Sequence, residues 1–215
     1  MAKKKRSGGG LDRARILEVA IRYADAHGIE KLNMRNLAKE LGSPVMTLYT
    51  YIKNKDELLD GMVDSVAAEL VIPENELPWR DAITEIATSA MKSFYRHAWV
   101  SSLWTVCASP AKLAHQESIL RVLREAGFSV AVACKGYHAV TMHTIGFAIQ
   151  ALELPRNPQA MKEAAGNFLA QADPAAIPYF FEHVKYHQDH PESDGEFEFV
   201  LTMILDGLEK YLEET

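Results

Sequence analysis

Apolar residues recur every three to four positions along most of this chain, and no stretch alternates in the two-residue rhythm of a strand. The pattern predicts an all-α fold. "LDRARILEVAIRYADAHG" sets Ile16, Val19, Ala20 and Tyr23 on one helical face, with Gly28 as the stop. Asn33 predicts the cap of a short second helix that buries Leu37 and Leu41, and Gly42 supplies the tight turn after it. Ser43 followed by Pro44 reads as the N-cap and first residue of a third helix, with Leu48 and Ile52 turned to the core and Val45 beside them. Asn54 with Glu57 three residues later is a capping-box variant opening a fourth helix, which runs toward the break at Pro73.

Beyond Trp79 the rhythm stays helical. "WRDAITEIATSAMKSFYRHAW" places Ala82, Ile86, Ala90 and Phe94 four apart. "SPAKLAHQESILRVLREAG" starts with a Ser-Pro cap and ends at Gly127. "SVAVACKGYHAVTMHTIGFAIQALEL" is apolar nearly all round, which predicts a buried central helix. Asp173-Pro174 is expected to start a further helix, and "EFEFVLTMILDGLEKYL" closes the chain.

At 215 residues, with 48% hydrophobic and 24% charged residues, the chain has the composition of a soluble globular protein with a sizeable core. No apolar run is long enough for a membrane span, and "MAKKKRSGGG" lacks the apolar stretch of a signal peptide, so a cytoplasmic location and no membrane partner are expected. Cys107 and Cys134 read as buried free thiols. The net charge of −6 argues against a polyanion partner until the chain is split. Residues 1–60 hold twelve Lys/Arg against eight Asp/Glu, or +4, and the remainder carries −10. Only the front suits nucleic acid.

Three short helices, the last two joined at a glycine, predict a helix-turn-helix. In its second member the apolar residues turn inward and leave Met46, Thr47, Thr50 and Tyr51 facing out, while Tyr49 presents its hydroxyl. Such hydroxyls bond phosphates, and methyl groups meet thymine methyls in the major groove. Lys53 and Lys55 sit where the next helix begins, beside backbone N–H groups and a positive dipole end. Arg35 is the long cation placed to reach a base edge.

The stretch "ILEVAIRYADAHGIEKLNMRNLAKELGSPVMTLYTYIKNKDELLDGMVD", Ile16 to Asp64, resembles the tetracycline-repressor (TetR) family of bacterial transcription regulators. The resemblance implies that Thr47, Tyr49, Tyr51 and Lys55 hold the DNA backbone and that Arg35, Val45 and Met46 meet bases. Ser43, Pro44, Thr50 and Lys53 complete the expected DNA-binding set. Valine at 45 and methionine at 46 depart from a donor-rich recognition helix, so DNA shape gains weight in specificity. The expected domains are a disordered basic arm at 1–10, the helix-turn-helix domain at 11–60, and a ligand-binding and dimerisation domain at 61–215.

"WRDAI…RHAW" and "FEFVLTMILDGLEKYL" resemble the family's C-terminal domain. That implies a small-molecule effector cavity and a homodimer built from the two late long helices, which would read a pseudo-palindromic double-stranded operator. Pocket candidates are Trp99, Leu103, Trp104, Met142, His143, Phe147, Phe180 and Phe181; plain core packing is the alternative for each. Dimer candidates are Phe197, Val200, Leu201, Ile204, Leu205 and Leu208 on the last helix. His183 and His187, with Asp189 and His190 beyond, have chelating spacing but no identifiable third ligand, so no metal and no cofactor are expected. Ser89-Ala90-Met91-Lys92 and Ser109-Pro110-Ala111-Lys112 both fit an S-x-x-K acylating pattern without its partner motifs. No enzyme is expected. The rival reading is a helical protein-binding scaffold, or an activator of the same architecture.

Overall fold

The computed structural model describes residues 11–73, 77–107, 109–155, 157–190 and 195–213; the expected basic arm at 1–10 lies outside them. Among the described residues the regular structure is α-helical, with one short 3₁₀ turn at Ile29–Lys31. Four helices make the front: α1 (Arg13–His27), α2 (Met34–Leu41), α3 (Val45–Leu48) and α4 (Lys55–Ala67). The rest is α5 (Trp79–Arg96), α6 (Val100–Leu103), α7 (Pro110–Glu125), α8 (Val130–Glu153), α9 (Pro158–Leu169), α10 (Pro178–Asp189) and α11 (Glu196–Glu213).

Local chemistry sets the helix ends. Asn33 accepts from the N–H groups of Arg35 and Asn36, Asn54 from Glu57, Ser109 from Lys112 and Ser129 from Val132. At α2's end Gly42 is left-handed (φ 61°), its N–H bonds Lys39 O, and Ser43 N–H bonds Ala38 O. This is the paired closure that needs a residue tolerant of positive φ. The Ser43 backbone N–H thus closes α2. The expected Ser43 cap of the third helix is corrected: Pro44 takes that position and makes no side-chain cap bond.

Two apolar cores hold the chain. The first gathers Ile16, Leu37, Leu48, Ile52, Met62 and Val66 of the front and runs on without a break to Phe94, Trp99 and Trp104. The second gathers Ile83, Ile86, Leu123, Phe128, Val140, Phe197, Leu201 and Leu205. The expected boundary at residues 60/61 falls inside α4, one continuous helix that packs on α1, α6 and α7. Gly61 lets α1 come close, since a Cβ there would stand 2.9 Å from Leu17 Cδ2.

Several expectations are corrected. Asp173 does not start a helix: its carboxylate takes the Ala175 N–H in a local turn, and α10 begins at Pro178. α9 (Pro158–Leu169), between α8 and that turn, is a helix not among those expected from the sequence pattern. α8 is not buried all round, because Met142 is 70% exposed and Ile149 is exposed as well. Cys134 is exposed on that same helix, while Cys107 is buried. The last helix is read one face too far. Phe197, Leu201, Leu205 and Leu208 are buried in this chain's own second core, so these four are not a free interface, while Ile204 packs against that core and is half-buried. Val200 is the member of that set left exposed, beside Phe199, Met203 and Tyr211. Apolar residues on two faces looked like one broad interface; packing against α5 and α8 takes one face and leaves the other.

Candidate DNA-contacting face and effector cavities

α3 is a short helical turn held from beneath by Leu48 and Ile52, both fully buried. Its outward side chains have nowhere inside to go. Met46 is 75% exposed; Tyr49, Thr50, Tyr51, Lys53 and Lys55 are also exposed, as are Pro44 and Arg35, while Ser43, Val45 and Thr47 are half-buried. Tyr49 N–H bonds Val45 O and Thr50 Oγ1 donates to Thr47 O, which fixes the turn and leaves the aromatic hydroxyls at its rim. The expected DNA-binding residues are thus all exposed or half-buried, on the segment from α2 through α3 to the first residue of α4.

One element of the electrostatic expectation changes. Asn54 caps the Glu57 N–H, and the Glu57 carboxylate reaches back to the Lys53 N–H over 2.8 Å. Asp56 also lies in α4's first turn. These two acids already offset the helix dipole, so the charge available to a phosphate comes from the Lys53 and Lys55 ammonium groups rather than from the helix end.

The pocket candidates divide among different places. Phe147 and Phe180 line a groove of about 880 Å³ between the end of α8, the α9–α10 pair and the start of α11. Gln150, Met161, His183, Tyr186, His187, Glu196 and Phe199 line it too, and none of these was singled out for a pocket from sequence. Trp104 instead borders a small enclosed cavity of about 20 Å³ among α5, α7 and α8, with room for little more than water. Leu103 packs against the first core, Phe181 is half-buried and lines neither cavity, and Met142 faces out. His143 stacks on Phe197 at 4.6 Å, and its Nε2 sits 2.8 Å from Phe197 O. Trp99 serves a structural contact: its indole N–H donates to Asp25 on α1.

Sequence reasoning missed His115. It is 5% exposed, lines the enclosed cavity beside Thr141, and neither of its ring nitrogens nor the Thr141 hydroxyl makes a hydrogen bond of normal geometry. Burial pushes its pKa down to about 4, against a smaller upward pull from the Ile86 backbone. Burial likewise pushes the Cys107 thiol up to about 11, helped by the Asp60 side chain, so this thiol is protonated and inert at neutral pH. Nearby, Lys112 donates to Cys107 O over 2.6 Å and lies over the Trp104 ring. A single buried histidine in apolar sequence carries no local signal. Among the described residues no cluster of three His, Cys, Asp or Glu could hold a metal, and no helix is long and apolar enough to cross a membrane.

Comparison with known proteins agrees with this architecture. Residues 16–62 match the family model of bacterial regulatory proteins of the tetR family, and residues 72–212 match the tetracyclin repressor-like C-terminal domain. The chain is 34% identical over 119 residues to the HTH-type transcriptional repressor DrrR1 of Streptomyces coeruleorubidus, covering 54% of this chain and 44% of that one. It is 31% identical over 147 residues to an HTH-type transcriptional regulator of Saccharopolyspora erythraea, covering 67% and 62%. The chain therefore spans less than two thirds of the length of each of these two relatives. The crystal structure of the Streptomyces coelicolor TetR family protein ActR in complex with (S)-DNPA superposes with a TM-score of 0.72 at 25% identity, covering 93% of this chain and 98% of that one. With both domain models matched in order along nearly its whole length, the chain belongs to the tetR family of bacterial regulatory proteins, a family of transcriptional regulators rather than enzymes.

Proposed function

We propose that the protein is a homodimeric DNA-binding transcriptional regulator, a repressor, released from a pseudo-palindromic operator by a flat apolar or aromatic small molecule. The observation that carries the DNA reading is the one-sidedness of α3: Leu48 and Ile52 are fully buried while Met46, Tyr49, Thr50 and Tyr51 all face solvent. Thr47, Tyr49, Tyr51, Lys53 and Lys55 hold the sugar-phosphate backbone, and Arg35, Val45 and Met46 meet base edges. Several relatives are named transcriptional repressors, DrrR1 among them, which supports the repressor sense.

The dimer uses the outer stripes of α8 and α11. Met142 and Ile149 on α8 and Val200 and Met203 on α11 are exposed apolar side chains outside the chain's two cores. Gly146 and Gly207 lie on these stripes, and a Cβ on either would meet nothing within 4 Å, so a second copy can approach closely. Two-fold symmetry then sets two copies of α3 about 34–36 Å apart, one turn of DNA. The effector occupies the large groove lined by Phe147 and Phe180. It binds better when the two front domains are wrongly spaced for DNA, and by linkage DNA weakens its binding equally. A full reversal of occupancy takes about 5.5 kcal/mol of differential affinity.

The test is a double substitution, Tyr49→Ala with Lys55→Ala, checked for an intact fold by circular dichroism. Retention of duplex selected from a random pool should fall at least about tenfold. Undiminished retention overturns the reading.

A further inference from the structure

The large groove has a charge character that narrows what it can take. Phe147, Phe180, Tyr186 and Phe199 turn four aromatic side chains toward it from three helices. Aromatic faces carry negative electrostatic potential and attract cations, most strongly where water is excluded. The one carboxylate in the described lining is Glu196, at the start of α11, whose Oε1 lies 3.8 Å from His187 Nδ1. No lysine or arginine belongs to the described lining. The groove also sits in the portion of the chain that carries −10, so its longer-range field has the same sign as its lining. Gln150, His183, Tyr186 and His187 offer an anion hydrogen-bond donors but no fixed positive charge, whereas a cation meets aromatic rings and a carboxylate.

We propose that this groove selects planar aromatic cations over neutral and anionic molecules of the same ring size. The inference rests on the effector reading of the groove given above, but it concerns the ligand's charge and not its consequence for DNA. Shape and apolar burial admit any flat polycycle of suitable size; charge decides among them. Phe180 acts as an aromatic platform for all of them, and Glu196 discriminates.

Three ligands of one ring system separate these contributions: 9-aminoacridine as the cation, acridine as the neutral molecule and acridine-9-carboxylate as the anion. Each is titrated into the full-length protein at pH 8 and low salt, without DNA, and followed by fluorescence or calorimetry. The cation should bind about tenfold or more tighter than the anion, with acridine between. Glu196→Gln should weaken the cation about three- to tenfold and leave acridine within about twofold. Phe180→Ala should weaken all three by a similar factor. Anion binding as tight as the cation's, or equal weakening of cation and acridine by Glu196→Gln, overturns the proposal, as does cation binding untouched by Phe180→Ala. Duplex retention is measured separately on the same preparations. Protein that retains duplex but fails the charge test loses this inference alone; protein that passes the charge test but retains no duplex loses the regulator reading alone.

Discussion

Trp99 and Asp25 are 74 residues apart in sequence, yet the Trp99 indole N–H donates to Asp25 Oδ1 over 2.7 Å. His97 Nδ1 stands 3.0 Å from both oxygens of the same carboxylate. One side chain on α1 thus ties the front of the molecule to the corner between α5 and α6. A second carboxylate does the same from α4: Asp64 Oδ1 accepts from Ser109 Oγ at 2.8 Å and from the Ala111 N–H at 2.9 Å, at the start of α7. The segment from Trp99 to Ser109 is held at both ends by acids of the front helices.

Removing the first tie should be costly for stability, because its partners stay buried. His97 and Trp99 are both buried, so Asp25→Ala strands two donors away from water. Each stranded group costs about 1–3 kcal/mol, which predicts a loss of roughly 2–6 kcal/mol for Asp25→Ala. Urea unfolding measures it. A loss under about 0.5 kcal/mol would mean the contact is not kept in solution.

His115 predicts an acid limb in stability. Its folded pKa, about 4, lies below the ordinary value of 6.5, so the unfolded state takes up the proton first as pH falls. The stabilising contribution is full above pH 6.5 and is lost progressively as pH drops toward 4. A shift of that size corresponds to roughly 3 kcal/mol for this nearly buried group. His115→Leu removes the titrating group, fills an apolar wall and relieves the unpartnered nitrogens, so the variant should hold its stability between pH 6.5 and 4.5 better than the parent. Identical acid limbs by thermal melts across that range would contradict this.

The two faces of α11 predict opposite phenotypes. Met203 is 57% exposed, so Met203→Lys should leave the monomer fold intact and split the dimer. Leu205 is 3% exposed, so Leu205→Ala should cost about 2–5 kcal/mol of folding stability through the cavity it leaves. Sedimentation measures the first and urea melts the second. A Met203→Lys protein that remains fully dimeric would move the interface away from this stripe.

Much of the front was legible because its signals are local. Leu48 and Ile52 four apart, the caps Asn33 and Asn54, and the turn at Gly42 each depend on residues within one or two turns of chain. Long-range relations were not legible. Asp25 to Trp99, Asp64 to Ser109 and the solitary His115 leave no periodicity. The register of α11 failed for a different reason: its apolar residues cover two faces, and only the packing of α5 and α8 decides which face is inside. α9, by contrast, carries a local signal of the same kind as the front, since Asn157 caps it and Pro158 is its first residue. Phe147 and Phe180 are separately visible as aromatics; that they line one groove depends on where the α9–α10 pair sits relative to α8 and α11.

The α3 surface predicts a division of labour that a salt titration can read. Lys53 and Lys55 are exposed cations at the start of α4, placed for phosphates and carrying no base information. Each phosphate contact contributes about 0.9 to the slope of log affinity against log salt. Lys55→Ala should therefore lower that slope by roughly one and weaken all sequences alike. Met46 is uncharged and the most exposed large apolar residue of the turn, at 75%. Met46→Ala should leave the slope unchanged and alter which duplexes are selected from a random pool, with a discrimination of about 1–3 kcal/mol at the base pair it meets. If Met46→Ala changed the slope and Lys55→Ala changed the selected sequence, the roles assigned to the rim and the face of α3 would have to be exchanged.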